Sequence, residues 1–372
     1  MASRALGRGG GTALPGLVAE RIDPGLISNL AAQIGHGAVL ISGTNGKTTT
    51  ALMIAEMVSA SGLEPLHNRA GSNLMRGIAA TLIAQSTISG ELPDSQRKLA
   101  VFELDEAALP AAAKAINPRA IVLLNLFRDQ LDRYGEVDIV ADRWREMVGS
   151  LPAGTILVLN ADDPAVASIG ERARGTVIFF GVNAAGLGGQ QEHAADVRWC
   201  PRCGAEFEYA PAYYGHIGNW RCPKCGNARP DLQVSVTAIS SRGLDRTDLT
   251  VAAGDKEIIA SLNLGGLYNA YNAAAAVAAG LALGLPADAF CAGLERTRPA
   301  FGRQERFVVD GRTVVILLGK NPAGFNQLLH TLAQVEGTKH LALFLNDGVA
   351  DGRDVSWIWD VDFELLRGQI AS

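Results

Sequence analysis

The sequence predicts an α/β protein with a doubly wound, mostly parallel sheet around a phosphate-binding loop, an inserted four-cysteine ribbon and a smaller C-terminal unit. Three observations carry this prediction. A strand, a glycine loop and a helix follow one another through AVLISGTNGKTTTALMIAEMV at 38–58. Short apolar runs then alternate with helical stretches, and four cysteines sit in two C-x2-C pairs at 200–203 and 222–225.

The first stretch sets the rest. Ala38 to Ile41 has the length and polarity of a buried strand, whereas Ala51, Ile54, Ala55 and Val58 fall at i, i+3, i+4 and i+7, one buried face of a helix. Between them lie Gly43, Thr44, Asn45, Gly46, Lys47, Thr48 and Thr49. A helix N-terminus offers unpaired N–H groups and a partial positive charge that hold phosphate. The glycines let the backbone approach the ligand, Lys47 can reach the β- and γ-phosphates of ATP, and the Thr48 hydroxyl can sit on Mg²⁺. Ile41 stands where the general G-x-x-x-x-G-K-[ST] pattern has its first glycine. The plainer alternative is a Gly/Asn turn before a helix.

Composition narrows the function. The 372 residues are 48% hydrophobic and 19% charged, enough for a large core and two or three domains. A net charge of −5 provides no basic field, which argues against nucleic acid as the partner. The most apolar stretch, Ala270 to Leu285, is rich in Ala and Gly, contains Asn272, and is too short for a transmembrane segment. With no basic-then-apolar leader at the start, a cytoplasmic protein is expected. Five cysteines do not make a disulfide framework.

In chain order, Leu26 to Ile34 is amphipathic and should pack on the nucleotide domain. The polar run His67 to Asn73 is either a structural turn or a substrate-facing loop. Leu99 to Leu104 reads as a strand ending in Glu103, Asp105 and Glu106. Ligands of parallel sheets bind at the strands' carboxyl ends, so Glu103 is the candidate to hold Mg²⁺; simple solvation of a strand end is the alternative. Further strands are predicted at Ala120 to Leu126, leading into the charged loop Phe127 to Gly135, at Thr155 to Leu159, leading into Asn160-Ala161-Asp162-Asp163-Pro164, and at Thr176 to Phe180. Their loops should converge on the nucleotide.

Cys200, Cys203, Cys222 and Cys225 follow, spaced C-x2-C-x18-C-x2-C among aromatic residues. Two such knuckles supply the tetrahedral S₄ set of Zn²⁺, and with four sulfur ligands no position stays open for water, so the predicted zinc is structural. A redox dithiol is the alternative; His193 and His216 are read as packing or surface residues. The ribbon should span about 196–230, and its folding energy should come from the metal.

Strands are predicted at Leu232 to Val236 and Leu249 to Ala252, then an alanine-rich helix opened by Tyr268 to Asn272. Its asparagines are either caps or, for Asn269, an adenine contact. Cys291 is read as an inert thiol. From Phe301 a new unit begins: Gly302-Arg303-Gln304-Glu305, a strand at Thr313 to Leu318, the loop Gly319 to Gly324, a helix, and a strand at Leu341 to Leu345 feeding Asn346 to Asp354. The expected division is 1–300 as the ATP-binding domain and 301–372 as a partial, Rossmann-like C-terminal domain that stops early.

These motifs together resemble the Mur ligase family, ATP-dependent enzymes that build the peptidoglycan precursor. The carrying runs are SGTNGKTTT, VFELDE, NLFRDQLDRYGE, LNADDP, the cysteine insert, YNAYNA, GRQE, KNPAG and LNDGVADGRDVSWIWD, in family order along nearly the whole chain. The resemblance is to a branch without an N-terminal UDP-sugar domain. It implies ATP-dependent amidation of the D-glutamate α-carboxylate of the lipid II stem peptide to D-isoglutamine through an acyl phosphate. Ammonia would come from a separate glutaminase subunit, GatD, the partner in a heterodimer working at the inner face of the membrane. It further implies Lys47 and Glu103 as catalytic residues and Asp354 as a residue reaching GatD's catalytic histidine. The nucleotide set it implies is Gly43 to Thr49 with Asn160, Asn269 and Arg303. Gln130 stands where the wider family often has a histidine near the metal. Two other readings compete: a ligase adding an amino acid to a peptidoglycan precursor, and a non-catalytic ATP-binding zinc-ribbon scaffold.

Overall fold

The computed structural model describes residues 14–68, 72–128, 137–188, 196–299, 304–346 and 355–371. Gln130, His193, Arg303 and Asp354 lie outside the described residues.

Two short helices, α1 (Leu14–Ile22) and α2 (Leu26–Ala31), precede β1 (Ala38–Ser42), α3 (Lys47–Ala60), β2 (Glu64–His67), α4 (Met75–Gln85), β3 (Lys98–Glu103), α5 (Leu109–Ile116) and β4 (Ala120–Leu123). The alternation continues through α6 (Val137–Ser150), β5 (Ile156–Asn160), α7 (Pro164–Ile169) and β6 (Val177–Val182). The cysteine insert carries the hairpin β7 (Glu208–Tyr214) and β8 (Ile217–Arg221). The meander β9 (Val234–Arg242), β10 (Arg246–Ala253) and β11 (Lys256–Leu262) then leads to α8 (Leu267–Ala282) and α9 (Ala287–Arg296).

Nine strands form one sheet in the order β11-β10-β9-β6-β5-β4-β1-β3-β2. From β2 to β9 every neighbouring pair is parallel, and β10 and β11 close the edge antiparallel. Strands of the parallel part read as unbroken apolar runs because both faces are covered. Val39, Ile41, Val101 and Val122 pack with Met53 and Ile54 of α3 and the alanines of α8. Leu40, Phe102, Ile121 and Leu123 point the other way, toward Ile78 of α4, Leu109 of α5 and Trp144 of α6. The chain leaves β1 for β2 on one side and reaches β4 on the other, so the carboxyl end of β1 is the switch point where such sheets bind ligands.

The C-terminal segment departs from expectation. The predicted strand at 313–318 is β13 (Arg312–Ile316), paired antiparallel with an unpredicted β12 (Glu305–Val309), and α10 (Pro322–Ala333) follows. Leu341 to Leu345 is not a strand, and Leu343, Phe344 and Leu345 are 54%, 95% and 49% exposed. An apolar run becomes a strand only where neighbouring backbone satisfies its N–H and C=O groups. Among the described residues this region has just the isolated bridge between Lys339 and Ile370. Among the described residues the C-terminal segment consists of this hairpin, one helix and two 3-10 turns at Ser356–Asp360 and Phe363–Leu366.

Candidate active site

The glycine loop is held by glycine chemistry and by its neighbours. Gly46, N-cap of α3, has φ 87°, and a Cβ there would lie 2.2 Å from Asn272 Oδ1. Gly43 has φ 145° and no room against Leu124. Both positions require glycine. Ile41, in place of the pattern's first glycine, is fully buried within β1, so this loop begins two residues later, at Gly43.

The end of β4 clamps the loop. Asn125 accepts from Asn45 N–H at 2.8 Å and donates to Asn45 C=O at 3.1 Å. Thr44 N–H donates to Asn125 C=O at 2.9 Å, its Oγ1 donates to Phe127 C=O at 3.2 Å, and the same oxygen accepts from Phe127 N–H at 3.0 Å.

Lys47 Nζ is gathered onto the loop by the carbonyls of Gly43 and Thr44 and by Glu106 Oε1 at 3.0 Å, with both side chains nearly buried. Thr48 Oγ1 donates to Glu103 Oε1 at 2.9 Å. Two hard oxygen donors side by side at a phosphate loop suit Mg²⁺. Asn68, at the end of β2, sets Glu103 in place: its Oδ1 accepts from Glu103 N–H at 3.0 Å and its Nδ2 donates to Glu103 C=O at 2.8 Å.

A cavity opens beside this cluster. It is lined by the loop residues 44–47 and Thr49, by Glu103 and Asn125, by Tyr268, Asn269 and Asn272 of α8, and by Gln304 and the 318–328 segment. Asn269 is not a side-chain cap: the N-cap of α8 is Gly266, and the Asn269 amide donates to Gly265 C=O at 2.7 Å while the residue lines the cavity. Asn160 is elsewhere. Fully buried, it donates to Leu124 C=O at 2.9 Å and accepts from Asp162 N–H at 3.0 Å, so it joins β4 to β5 behind the site. The C-terminal segment closes the far wall through a paired amide contact, Asn45 to Asn321 at 3.3 and 3.2 Å, while Asn321 also caps α10 by accepting from Gly324 N–H.

Several contributors escaped sequence reasoning. Nothing local separated Glu106 from Glu103, or Asn125 and Asn68 from ordinary loop residues. Asn321 before Pro322 did carry a readable helix-start signal.

The four cysteines come together. Their sulfur atoms lie within 4.8 Å of one another, with Cys200 to Cys225 at 3.6 Å and Cys203 to Cys222 at 3.4 Å. A tetrahedron with Zn–S bonds of about 2.3 Å has edges of about 3.8 Å, so this donor set fits zinc. His216 is no ligand; it lies fully buried at the hairpin turn, its ring 4.4 Å from that of Phe127.

Asp162 and Asp163 dock the insert on the sheet. Asp163 caps α7, accepting from Ala165 and Val166 N–H, and also accepts from Leu126 N–H at 2.8 Å. Asp162, fully buried, accepts from Arg229 Nη1 at 2.9 Å, Tyr271 OH at 2.6 Å and Val182 N–H at 2.9 Å, and its carbonyl accepts from Gly218 N–H of β8. Burial outweighs these partners and pushes its carboxyl from the ordinary 3.8 up to about 6. A raised carboxyl binds its proton more tightly in the folded chain than in the unfolded one. Its contribution is therefore full below pH 4 and is lost as pH rises toward 6, by on the order of 2–3 kcal/mol. Denaturant unfolding of wild type and Asp162→Asn at pH 4 and pH 7 should show wild type losing stability relative to the variant by that amount; parallel pH profiles would contradict it.

Comparison with known proteins agrees with this architecture. The family described as Mur ligase middle domain matches residues 41–199, and that described as MurT ligase C-terminal matches residues 318–372. The lipid II isoglutaminyl synthase (glutamine-hydrolyzing) subunit MurT of Staphylococcus aureus strain COL is 37% identical over 99% of this chain and 80% of its own length. The subunit of the same name from Streptococcus pneumoniae strain ATCC BAA-255 / R6 is 34% identical over 96% of this chain and 77% of its own. Among solved structures, a pseudomurein peptide ligase type C from Methanothermus fervidus superposes with a TM-score of 0.66 at 28% identity, covering 82% of this chain. The present chain spans 57% of that protein's length. MurF from Thermotoga maritima, solved in complex with ADP, shares the fold at a TM-score of 0.59 and 16% identity. With a Mur-type sheet and phosphate loop, a four-cysteine insert and that identity along almost its full length, this chain belongs to the MurT family of Mur ligase-like proteins.

Proposed function

We propose that this chain is the ligase subunit of a lipid II isoglutaminyl synthase, an ATP-dependent carbon–nitrogen ligase that amidates the α-carboxylate of D-glutamate in the lipid II stem peptide. The observation that carries the reading is the set Lys47, Thr48 and Glu103 at the sheet's switch point, in a chain 37% identical to a subunit so named.

ATP takes the loop. The N–H groups at the start of α3 and the Lys47 ammonium hold the β- and γ-phosphates, and buried Glu106, 3.0 Å from that ammonium, holds it beside the loop. Thr48 and Glu103 would hold Mg²⁺, which would supply neutralisation of charge developing on the transferred phosphoryl group. A carboxylate oxygen of D-glutamate attacks the γ-phosphorus and ADP leaves. Ammonia then attacks the acyl carbon, a proton is lost from nitrogen, and phosphate departs with the C–O bond electrons. The protein's part is to position and to neutralise charge. Asn269 contributes to the nucleotide wall, and Arg303 is assigned to the nucleotide as well.

Among the described residues no cysteine lines the cavity; by family membership ammonia is assigned to a GatD-type glutaminase subunit, and Asp354 is assigned to that partner's catalytic histidine. The four cysteines hold a structural Zn²⁺. Residues 1–300 serve as the ATP-binding domain and 301–372 as the C-terminal unit. Among the described residues no helix is long and apolar enough to cross a membrane. The lipid-linked substrate places the reaction at the inner membrane face, on the cytoplasmic side.

With ATP, lipid II and ammonium, and no amino acid, the protein should yield amidated lipid II by mass spectrometry. Product formed only when an amino acid is added would replace this reading with the amino-acid-adding one. In the same assay Asn68→Ala, which frees the Glu103 backbone, should lower kcat by about 10- to 100-fold with a smaller change in KM for ATP. An unchanged kcat would show that Glu103 keeps its place without the clamp.

A further inference from the structure

The cysteine insert reaches further than its metal knuckles. Its hairpin runs from the cysteines inward, since Cys222 directly follows β8, and it ends at Tyr214 and His216 against Phe127. Tyr214 stacks on the Phe127 ring at 6.0 Å with the planes 20° apart, and His216 lies 4.4 Å from the same ring. Both tip residues are buried, and Tyr214 also lines the cavity. A third contact comes from the insert's first described residue: Asp196 accepts from Arg128 N–H at 2.9 Å and from Arg128 Nε at 2.5 Å.

Phe127 is thus held between two bodies, while Arg128 also pairs with Asp360 of the C-terminal segment at 3.0 Å. On one side is the hairpin tip. On the other is Thr44 of the phosphate loop, bound twice to the Phe127 backbone. A phosphate loop binds by N–H groups already aimed at the ligand, so whatever fixes its backbone raises affinity without touching the ligand. The tip is fixed at its other end by the packing of Phe207 and Trp220 on Cys200 and Cys222. An insert of this size has little core of its own, and its order depends on the metal.

We propose that the four-cysteine insert is a brace for the phosphate loop, so that metal held by the cysteines, acting through Tyr214, His216 and Phe127, sets the affinity for nucleotide phosphates. The inference rests on the ATP reading above. Tyr214 and His216 are positioning residues here, because they act through Phe127 and Thr44.

Titration calorimetry of the zinc-loaded full chain with Mg²⁺ and either a non-hydrolysable ATP analogue or inorganic tripolyphosphate tests it. Tyr214→Ala should retain one equivalent of zinc and bind both ligands about tenfold more weakly, with Tyr214→Phe restoring wild-type affinity. Removing the metal with a chelator should weaken both ligands at least as much, and adding zinc back should reverse the loss. Wild-type affinity in Tyr214→Ala and in metal-free protein would overturn the brace and leave the ATP reading standing. Loss of the ATP analogue alone, with tripolyphosphate unaffected, would also overturn it, since Tyr214 would then be touching the nucleoside. No binding of either ligand by zinc-loaded wild type would overturn the ATP reading and the brace together.

Discussion

Lys47→Ala is expected to lower turnover by about a thousandfold or more, the loss typical of removing a fixed charge from a phosphoryl-transfer site. The same substitution should destabilise the protein, for a reason separate from catalysis. Lys47 and Glu106 form an ion pair at 3.0 Å with side chains only 10% and 8% exposed. Truncating the cation leaves a carboxylate buried without its counter-charge, which costs about 3 kcal/mol in sites of this kind. Adding Glu106→Gln should return most of that stability, because a neutral amide needs no cation, but it should return none of the activity. Steady-state kinetics and denaturant unfolding of the two variants separate the effects. Turnover of Lys47→Ala within tenfold of wild type would remove Lys47 from the chemistry, and a double variant as unstable as the single one would remove the ion pair from the explanation.

The second large effect is expected at the insert. Cys203→Ser removes one of four thiolates whose sulfurs lie within 4.8 Å of one another. Metal content should fall from one equivalent to near zero after dialysis against a mild chelator. Much of the binding free energy of a structural zinc, about 10–16 kcal/mol in small zinc domains, is folding free energy and would be lost with it. Residues 196–230 should therefore become the first site of limited proteolysis. The two large hydrophobic clusters on either side of the sheet contain none of these four cysteines, so the far-UV signal of the α/β core should persist. Wild-type protein that carries no metal after purification without chelators, or a Cys203→Ser variant as protease-resistant as wild type, would refute the metal site.

How much could be read in advance depended on the range of the interactions involved. The phosphate loop was legible because its geometry is local: strand, left-handed glycines and helix start lie within a few consecutive residues. The cysteine set was legible because the spacing within each knuckle is itself the constraint. The apolar strands stood out because burial on both faces leaves no polar alternation. By contrast, Asn160 sits at a strand's carboxyl end, as a ligand contact would, yet both ends of its amide are spent on neighbouring backbone. Leu341 to Leu345 has strand composition without a strand's neighbours. For Asn160 one partner, Leu124, lies 36 residues away and the other, Asp162, only two, whereas the strand neighbours that Leu341 to Leu345 lacks would have to come from distant chain.

The same division holds for the site as a whole. The order of residues by itself determined that a strand, a glycine loop and a helix N-terminus would follow one another, that four cysteines would meet in two knuckles, and that an acid would stand at the end of the neighbouring strand, because each of these follows from short-range geometry. Only the tertiary structure decided which acid pairs with Lys47 and which faces Thr48, why Gly46 must be glycine beneath Asn272, and that Phe127 is shared between the glycine loop and the cysteine insert. Those outcomes depend on packing between segments from tens to more than two hundred residues apart, where position in the chain says nothing about distance in space.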